Sequence, residues 1–284
     1  MLSLLLVSLL WQAPDQAPAP AVPVIEVPAA DATQELELMD GSRVIGRVES
    51  VAEGQFTFRT TSGVLMEVKT AMVRSLKPAT GRIVGGELWS ADSNPTRLFF
   101  APTGRALKKG EAYFGVYEIM LPFVQYGVTD RFSIGGGTPL FFGGGGDRPM
   151  WVTPKLQIAS GESAAASIGV LHFLNVGGAN LGIAYGVVTK GSTDSAATIG
   201  IGYAYARVEG ENGGAAVVMV GGEHRVSRRV KLVTENYVFE GGGFASGGLR
   251  LLGERLSADL GFVVPLSNSD VIIAFPMINF VWKF

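Results

Sequence analysis

His172 and His224 are the only two histidines in the chain, and there is no cysteine. Nucleophilic and metal chemistry rest most often on these residue types. A membrane-embedded acyl hydrolase would need a nucleophile, a base and a group that orients the base. His172 follows Leu171 inside an apolar stretch, with no Ser–Asp or Ser–Asn pattern around it, and His224 stands between Glu223 and Arg225 close to an expected turn. No spacing of His, Asp and Glu resembles a metal site. The runs Gly135–Gly137 and Gly143–Gly146 lack the Lys-Ser/Thr of a phosphate-binding loop and read as strand kinks and a loop. No catalytic residue, cofactor or metal is therefore expected. Glu118, Lys155, Gln157, Arg250 and Asp259 are more informative, because each is set in an otherwise apolar stretch. What they can do depends on the face they share.

The elements that must position them are strands. Past Pro95 every apolar stretch has period two and none sustains a helical period. In 197–207, Ile199, Ile201, Tyr203 and Tyr205 fall on one face, against Thr198, Gly200, Gly202, Ala204 and Ala206. Leu181, Ile183, Tyr185 and Val187 oppose Gly182, Ala184 and Gly186, while Leu256, Ala258, Leu260 and Phe262 oppose Ser257, Asp259 and Gly261. In a soluble sandwich the second face would be charged and wet. Here it is small and carries few charges. That pattern predicts a closed barrel with large side chains toward lipid and small or polar ones toward a lumen.

Strands are expected near 97–102, 111–126, 131–142, 150–159, 164–175, 180–189, 195–208, 214–226, 229–240, 244–253, 256–266 and 271–284. That makes about twelve, with ten as the fallback, each near the roughly 10 residues needed to cross a bilayer. On this phase Tyr113, Tyr117, Ile119, Leu121 and Phe123 face lipid. Glu118, Lys155, Gln157, Arg250 and Asp259 face the lumen, where they either pair and fill it or line a narrow polar passage. A charge on the lipid face at mid-bilayer would cost about 2–4 kcal/mol. Glu235 shares a phase with Val233, Tyr237 and Phe239, so its strand needs a bulge or a lumenal aromatic. The space left by interior Gly and Ala must hold water, a loop or another part of the chain.

Composition agrees with this reading. Of 284 residues 47% are apolar, only 17% are charged and 39 are glycine, whereas soluble domains carry about 25% charged residues. Mean hydropathy is +0.30, yet after residue 12 no apolar run approaches the roughly 18 residues of a membrane helix. A net charge of −2 gives no electrostatic footprint for nucleic acid. Residues 1–17, with the apolar run Leu2–Trp11, read as a signal peptide, although no Lys or Arg precedes that run. Residues 18–34 read as a Pro/Ala-rich linker and 79–96 as a second linker.

Between them, 35–78 alternates and turns at Asp40-Gly41, Glu53-Gly54 and Ser62-Gly63, which predicts five short strands. Residues 40–48 (DGSRVIGRV) and 63–68 (GVLMEV) resemble an SH3-like or Sm-like small barrel. The resemblance speaks to fold more than to function. Glu49, Glu53 and Glu67 offset the basic residues that an RNA-binding relative would use, so a periplasmic spacer or interaction module with its own partner is expected.

Residues 97–284 resemble bacterial outer-membrane β-barrel proteins. The resemblance is carried by the turn pattern 126–132 (YGVTDRF) and by the C-terminus, where Ile278, Phe280, Trp282 and Phe284 alternate with Asn279, Val281 and Lys283. It implies contact with outer-membrane lipid, and a terminal strand read by the outer-membrane assembly machinery through Ile278, Phe280, Trp282 and Phe284. Tight turns at 127–131 and 253–255, against looser glycine-rich connections at 142–149, 209–214 and 241–243, put the former and the N-terminal module in the periplasm. The fold class expected is thus all-β, a transmembrane antiparallel barrel preceded by a small β module. It would act as a small pore or lipophilic-molecule conduit, or as an anchor for the module. The alternative is a membrane-embedded lipid-modifying enzyme, with His172 as the base to test.

Overall fold

The computed structural model describes residues 32–79, 81–141, 148–208, 211–266 and 273–284. The expected signal peptide, most of the first linker and the Gly143–Gly146 run lie outside the described residues. The chain divides into two units, residues 1–80 and 81–284.

The first unit is one antiparallel sheet built from β1 (Gln34–Leu38), β2 (Arg43–Ala52), β3 (Gln55–Thr60), β4 (Leu65–Lys69) and β5 (Val73–Pro78), in the order β4-β3-β2-β1-β5. A single 3-10 turn, Thr70–Met72, precedes the last strand. Alternation buries Leu36, Val48, Phe56, Phe58, Val68 and Val73 as its core. The hairpins turn at Gly41, Gly54 and Gly63, whose φ values of 86°, 73° and 89° favour glycine.

The second unit opens with a hairpin, β6 (Gly81–Val84) and β7 (Glu87–Ser90), in the span expected to be a linker. After an irregular segment, the wall runs through β8 (Ala112–Tyr117), β9 (Leu121–Gly127), β10 (Phe132–Gly137), β11 (Met150–Val152), β12 (Lys155–Ser160), β13 (Ala164–Val176), β14 (Ala179–Gly191), β15 (Ser195–Val208), β16 (Glu211–Ser227), β17 (Val230–Phe239), β18 (Gly242–Leu252), β19 (Leu256–Leu266) and β20 (Phe275–Lys283). β11 and β12 both pair with β10 and β13 and are interrupted at Thr153-Pro154, so they form one broken crossing. Proline has no N–H to give the ladder there. β20 pairs with β8 and β9 with β10, which closes a ring of twelve antiparallel crossings. Closure removes the unpaired edges that an open sheet would expose.

The expected count of twelve is met by two offsetting differences. Residues 97–102 form no wall strand; their one ladder contact is an isolated bridge between Arg97 and Pro102. Residues 111–126 are two strands rather than one, joined by a hairpin at Glu118, Ile119 and Met120. Glu118 and Ile119 adopt left-handed φ values of 49° and 64° without the help of glycine. The connections at 209–214 and 241–243 are also tighter than expected, because β16 begins at Glu211 and β18 at Gly242.

The outward face is an apolar belt. Ile201 is 68% exposed and Phe262 59%, and Leu156, Ile168, Val188, Ile199, Val220, Leu232, Val238 and Leu260 are exposed with them. A soluble monomer rarely shows a contiguous apolar surface beyond a few hundred Å². Lys190 and Arg207, exposed on the same face, fall within two residues of strand ends. The phase expected for β15, β19 and β20 is the one observed. For β14, β8 and β9 it is reversed: Val187, Tyr113 and Phe123 are buried, and Tyr185 and Tyr117 point inward with them.

Candidate functional site

The lumen is occupied by the chain's own residues 92–107. Asp92, Ser93, Asn94, Thr96–Phe99, Ala101, Thr103 and Leu107 are all buried. Local turns shape this plug, with the Leu98 N–H donating to the Ala101 carbonyl and the Thr103 N–H to that of Thr96, both at 2.9 Å. Leu98 and Phe99 pack on Val187, Met219, Val233 and Met277 from the wall. Burying two such side chains contributes about 1.5–3 kcal/mol each. Two glycines permit the approach. A Cβ on Gly104 would stand 2.1 Å from the Ala165 carbonyl oxygen, and one on Gly221 would stand 2.4 Å from Leu98 Cδ1.

One half of the wall holds the plug with charge. Arg250 is fully buried and binds Asp259 through two nitrogens at 2.6 and 3.1 Å. Its remaining N–H groups donate to the carbonyls of Asn94 (2.8 Å), Arg97 (3.2 Å) and Leu98 (2.5 Å). Lys231 joins Asp92 of the plug to Glu223 of the wall, and Glu223 also accepts from Arg105 at 2.5 Å. The Glu235 carboxylate accepts the N–H groups of Phe100 and Ala101 at 2.9 and 3.0 Å and the Tyr237 hydroxyl at 2.7 Å. Burying a charge is costly unless it is paired and hydrogen-bonded in this way. Across the lumen Lys155 donates to the carbonyls of Thr96, Thr103 and Arg105, while Gln157 and Ser167 both donate to Gly104 at 2.9 Å.

The other half is aromatic and incompletely filled. Tyr113, Tyr117, Phe123, Trp151, Leu171, Phe173 and Tyr185 of the wall, with Arg97 and Phe100 of the plug, line a cavity of about 250 Å³. Tyr117 and Phe123 stack at 4.2 Å between ring centres. The Arg97 guanidinium lies 4.3 Å from the Phe123 centre and 4.7 Å from that of Tyr117.

Of the residues singled out from sequence, Lys155, Gln157, Arg250 and Asp259 are buried and meet on the plug or its supports. Glu118 does not join them. It sits in the β8–β9 hairpin, where its N–H donates to the Ile278 carbonyl at 2.9 Å. The expectation of a lumenal Glu118 failed because alternation was carried through a turn that bears no glycine, proline or asparagine signal. Phe280, Trp282 and Phe284 are exposed on the outer side, with Ile278 half-buried in the same phase. Neither histidine faces the lumen. His172 bonds the Tyr205 hydroxyl at 2.9 Å and His224 lies 3.1 Å from Ser195 Oγ, and among the described residues neither ring bonds a carboxylate.

Sequence reasoning missed Arg97, Asp92, Glu223 and Lys231. A signal existed for two of these: Glu223 and Lys231 lie on adjacent strands in the inward phase of Arg250 and Asp259. Arg97 and Asp92 gave none, because they stand in an irregular segment. Glu235 takes the lumenal-aromatic solution, with Tyr237 beside it inside.

Fold and site together define a closed twelve-crossing β-barrel whose lumen is plugged by the chain's own residues 92–107. Among solved structures the chain is similar to the KdgM porin in complex with disordered oligogalacturonate (7% identity, TM-score 0.46, covering 61% of this chain and 98% of that one). It is also similar to the NanC porin (9%, 0.43, 61% and 99%) and to OmpT, an outer membrane protein of Vibrio cholerae, in a loop-deleted form (14%, 0.38, 89% and 96%). No family model and no curated protein matches the chain.

Proposed function

We propose that this chain is an outer-membrane β-barrel that conducts a small molecule and is closed at rest by its own residues 92–107. The observation that carries the reading is the pairing, inside one closed wall, of a hydrogen-bonded plug with a solute-sized cavity. The apolar outer belt supports placement in a membrane, since such a surface is costly in water. Closed antiparallel strands satisfy every backbone group in lipid. The two long connections, after β10 and after β19, lie at the end of the barrel opposite both of its chain termini, which supports a periplasmic position for the end with the termini and for the first unit. Five short strands with a 3-10 turn before the last support an SH3-like reading of that unit as a module for a periplasmic partner. The outward Phe280, Trp282 and Phe284 fit a terminal strand recognised by the assembly machinery.

The test is conductance of the refolded barrel in planar bilayers. The wild type is expected to conduct little, and the pair Gln157→Ala with Ser167→Ala, which releases the Gly104 carbonyl, is expected to open more often. A second reading, a non-conducting anchor, is favoured by the density of hydrogen bonds on the plug. Silence from both proteins, each shown to be folded by heat-modifiable migration, would decide for the anchor.

A further inference from the structure

The aromatic cavity has a polar feature that the protein itself does not satisfy. Arg97 is 3% exposed, and its Nη1 donates to the Tyr117 hydroxyl at the cavity wall. Its Nε and Nη2 have no hydrogen-bond partner. Lys155, also lining the cavity, is held only by backbone carbonyls. Among the described residues no carboxylate lies within ion-pair distance of either cation, whereas Arg250, Lys231, Arg105 and Arg225 each have one. Leaving a buried donor unsatisfied is costly, and more so for a charged group. Ring faces beside the guanidinium offset part of that cost but supply no acceptor in its plane.

We infer that the cavity is a binding site for a small monocarboxylate with an aromatic or compact apolar body, its carboxylate taken by Arg97. The guanidinium fork matches a carboxylate bidentately. The two idle donors, Nε and Nη2, form one edge of that fork, and Nη1 keeps its bond to the Tyr117 hydroxyl. Tyr113, Phe123 and Trp151 enclose the body. A cavity of about 150 Å³ accommodates benzene, so the volume of about 250 Å³ here suits one ring with a short side chain. The inference deepens the conduit reading and rests on it for passage of the acid, though not for binding.

The experiment is calorimetric titration of the full chain, folded in a maltoside detergent, with 3-phenylpropionate and, separately, with 3-phenylpropanol. Saturable binding of the acid, at least tenfold tighter than that of the alcohol, is expected. It should be lost in Arg97→Met and clearly weakened in Arg97→Lys, which keeps the charge but not the fork. Because Arg97→Met could fail to fold, Phe173→Trp provides a second test: it fills the cavity from the wall without changing charge and should weaken the acid at least tenfold. Equal affinity for acid and alcohol, or unchanged binding in Phe173→Trp, would overturn the inference. Binding without conductance would sink the conduit reading alone, and conductance without binding would sink this inference alone.

Discussion

The two halves of the lumen are built on opposite rules. On the β16–β19 side each charge is matched: Arg250 with Asp259, Lys231 with Asp92 and Glu223, and Glu235 with three neutral donors. On the β8–β14 side the wall is aromatic, space remains, and Arg97 keeps two idle donors. The first half needs no ligand to satisfy its charged groups and serves to hold the plug. The second is incomplete without one. A single ring of strands can thus combine a latch and a receptacle because inward positions alternate with outward ones, so each half can be composed without disturbing the outer belt.

The largest effect that separates the halves should come from Arg250→Ala. It strands Asp259 and three plug carbonyls, and removing one partner of a buried pair costs about 3–5 kcal/mol. The temperature at which the compact, heat-modifiable band disappears should fall by more than in any other variant described here; an unchanged temperature would refute the latch. Next comes a matched pair of truncations. Leu98→Ala, in the packed interior, should cost about 2–5 kcal/mol. Leu171→Ala, which borders an existing void, should cost only about 1 kcal/mol. Chemical unfolding of both in the same detergent would collapse the distinction between the halves if the two losses came out equal. The smallest effect belongs to Ser167→Ala, one neutral hydrogen bond to Gly104 worth about 0.5–1.5 kcal/mol. Its clearest signature should be faster hydrogen exchange at the Gly104 amide.

The barrel and its outward faces could be read from alternation in β15, β19 and β20, where large and small residues segregate cleanly. Alternation cannot say which face is outward when both sides of the wall are apolar. Tyr113, Phe123, Tyr185 and Val187 therefore read as outward by alternation although they meet the plug. Leu98-Phe99-Phe100-Ala101 mimics a strand in composition, yet its backbone groups bond across the lumen to Arg250 and Glu235 instead of to a ladder. Lys155, Gln157, Arg250 and Asp259 were recognisable as inward because charge is excluded from lipid. The carbonyls they would meet were not, because an irregular segment leaves no periodic trace.

Asn279 of the last strand donates to the Phe99 carbonyl of the plug and Met277 belongs to the apolar cluster around Leu98 and Phe99, and that same strand completes the ring by pairing with β8. Sealing the cylinder and seating its interior are therefore coupled steps of maturation. A ring zipped shut around an empty centre would have to reopen before its side chains could settle.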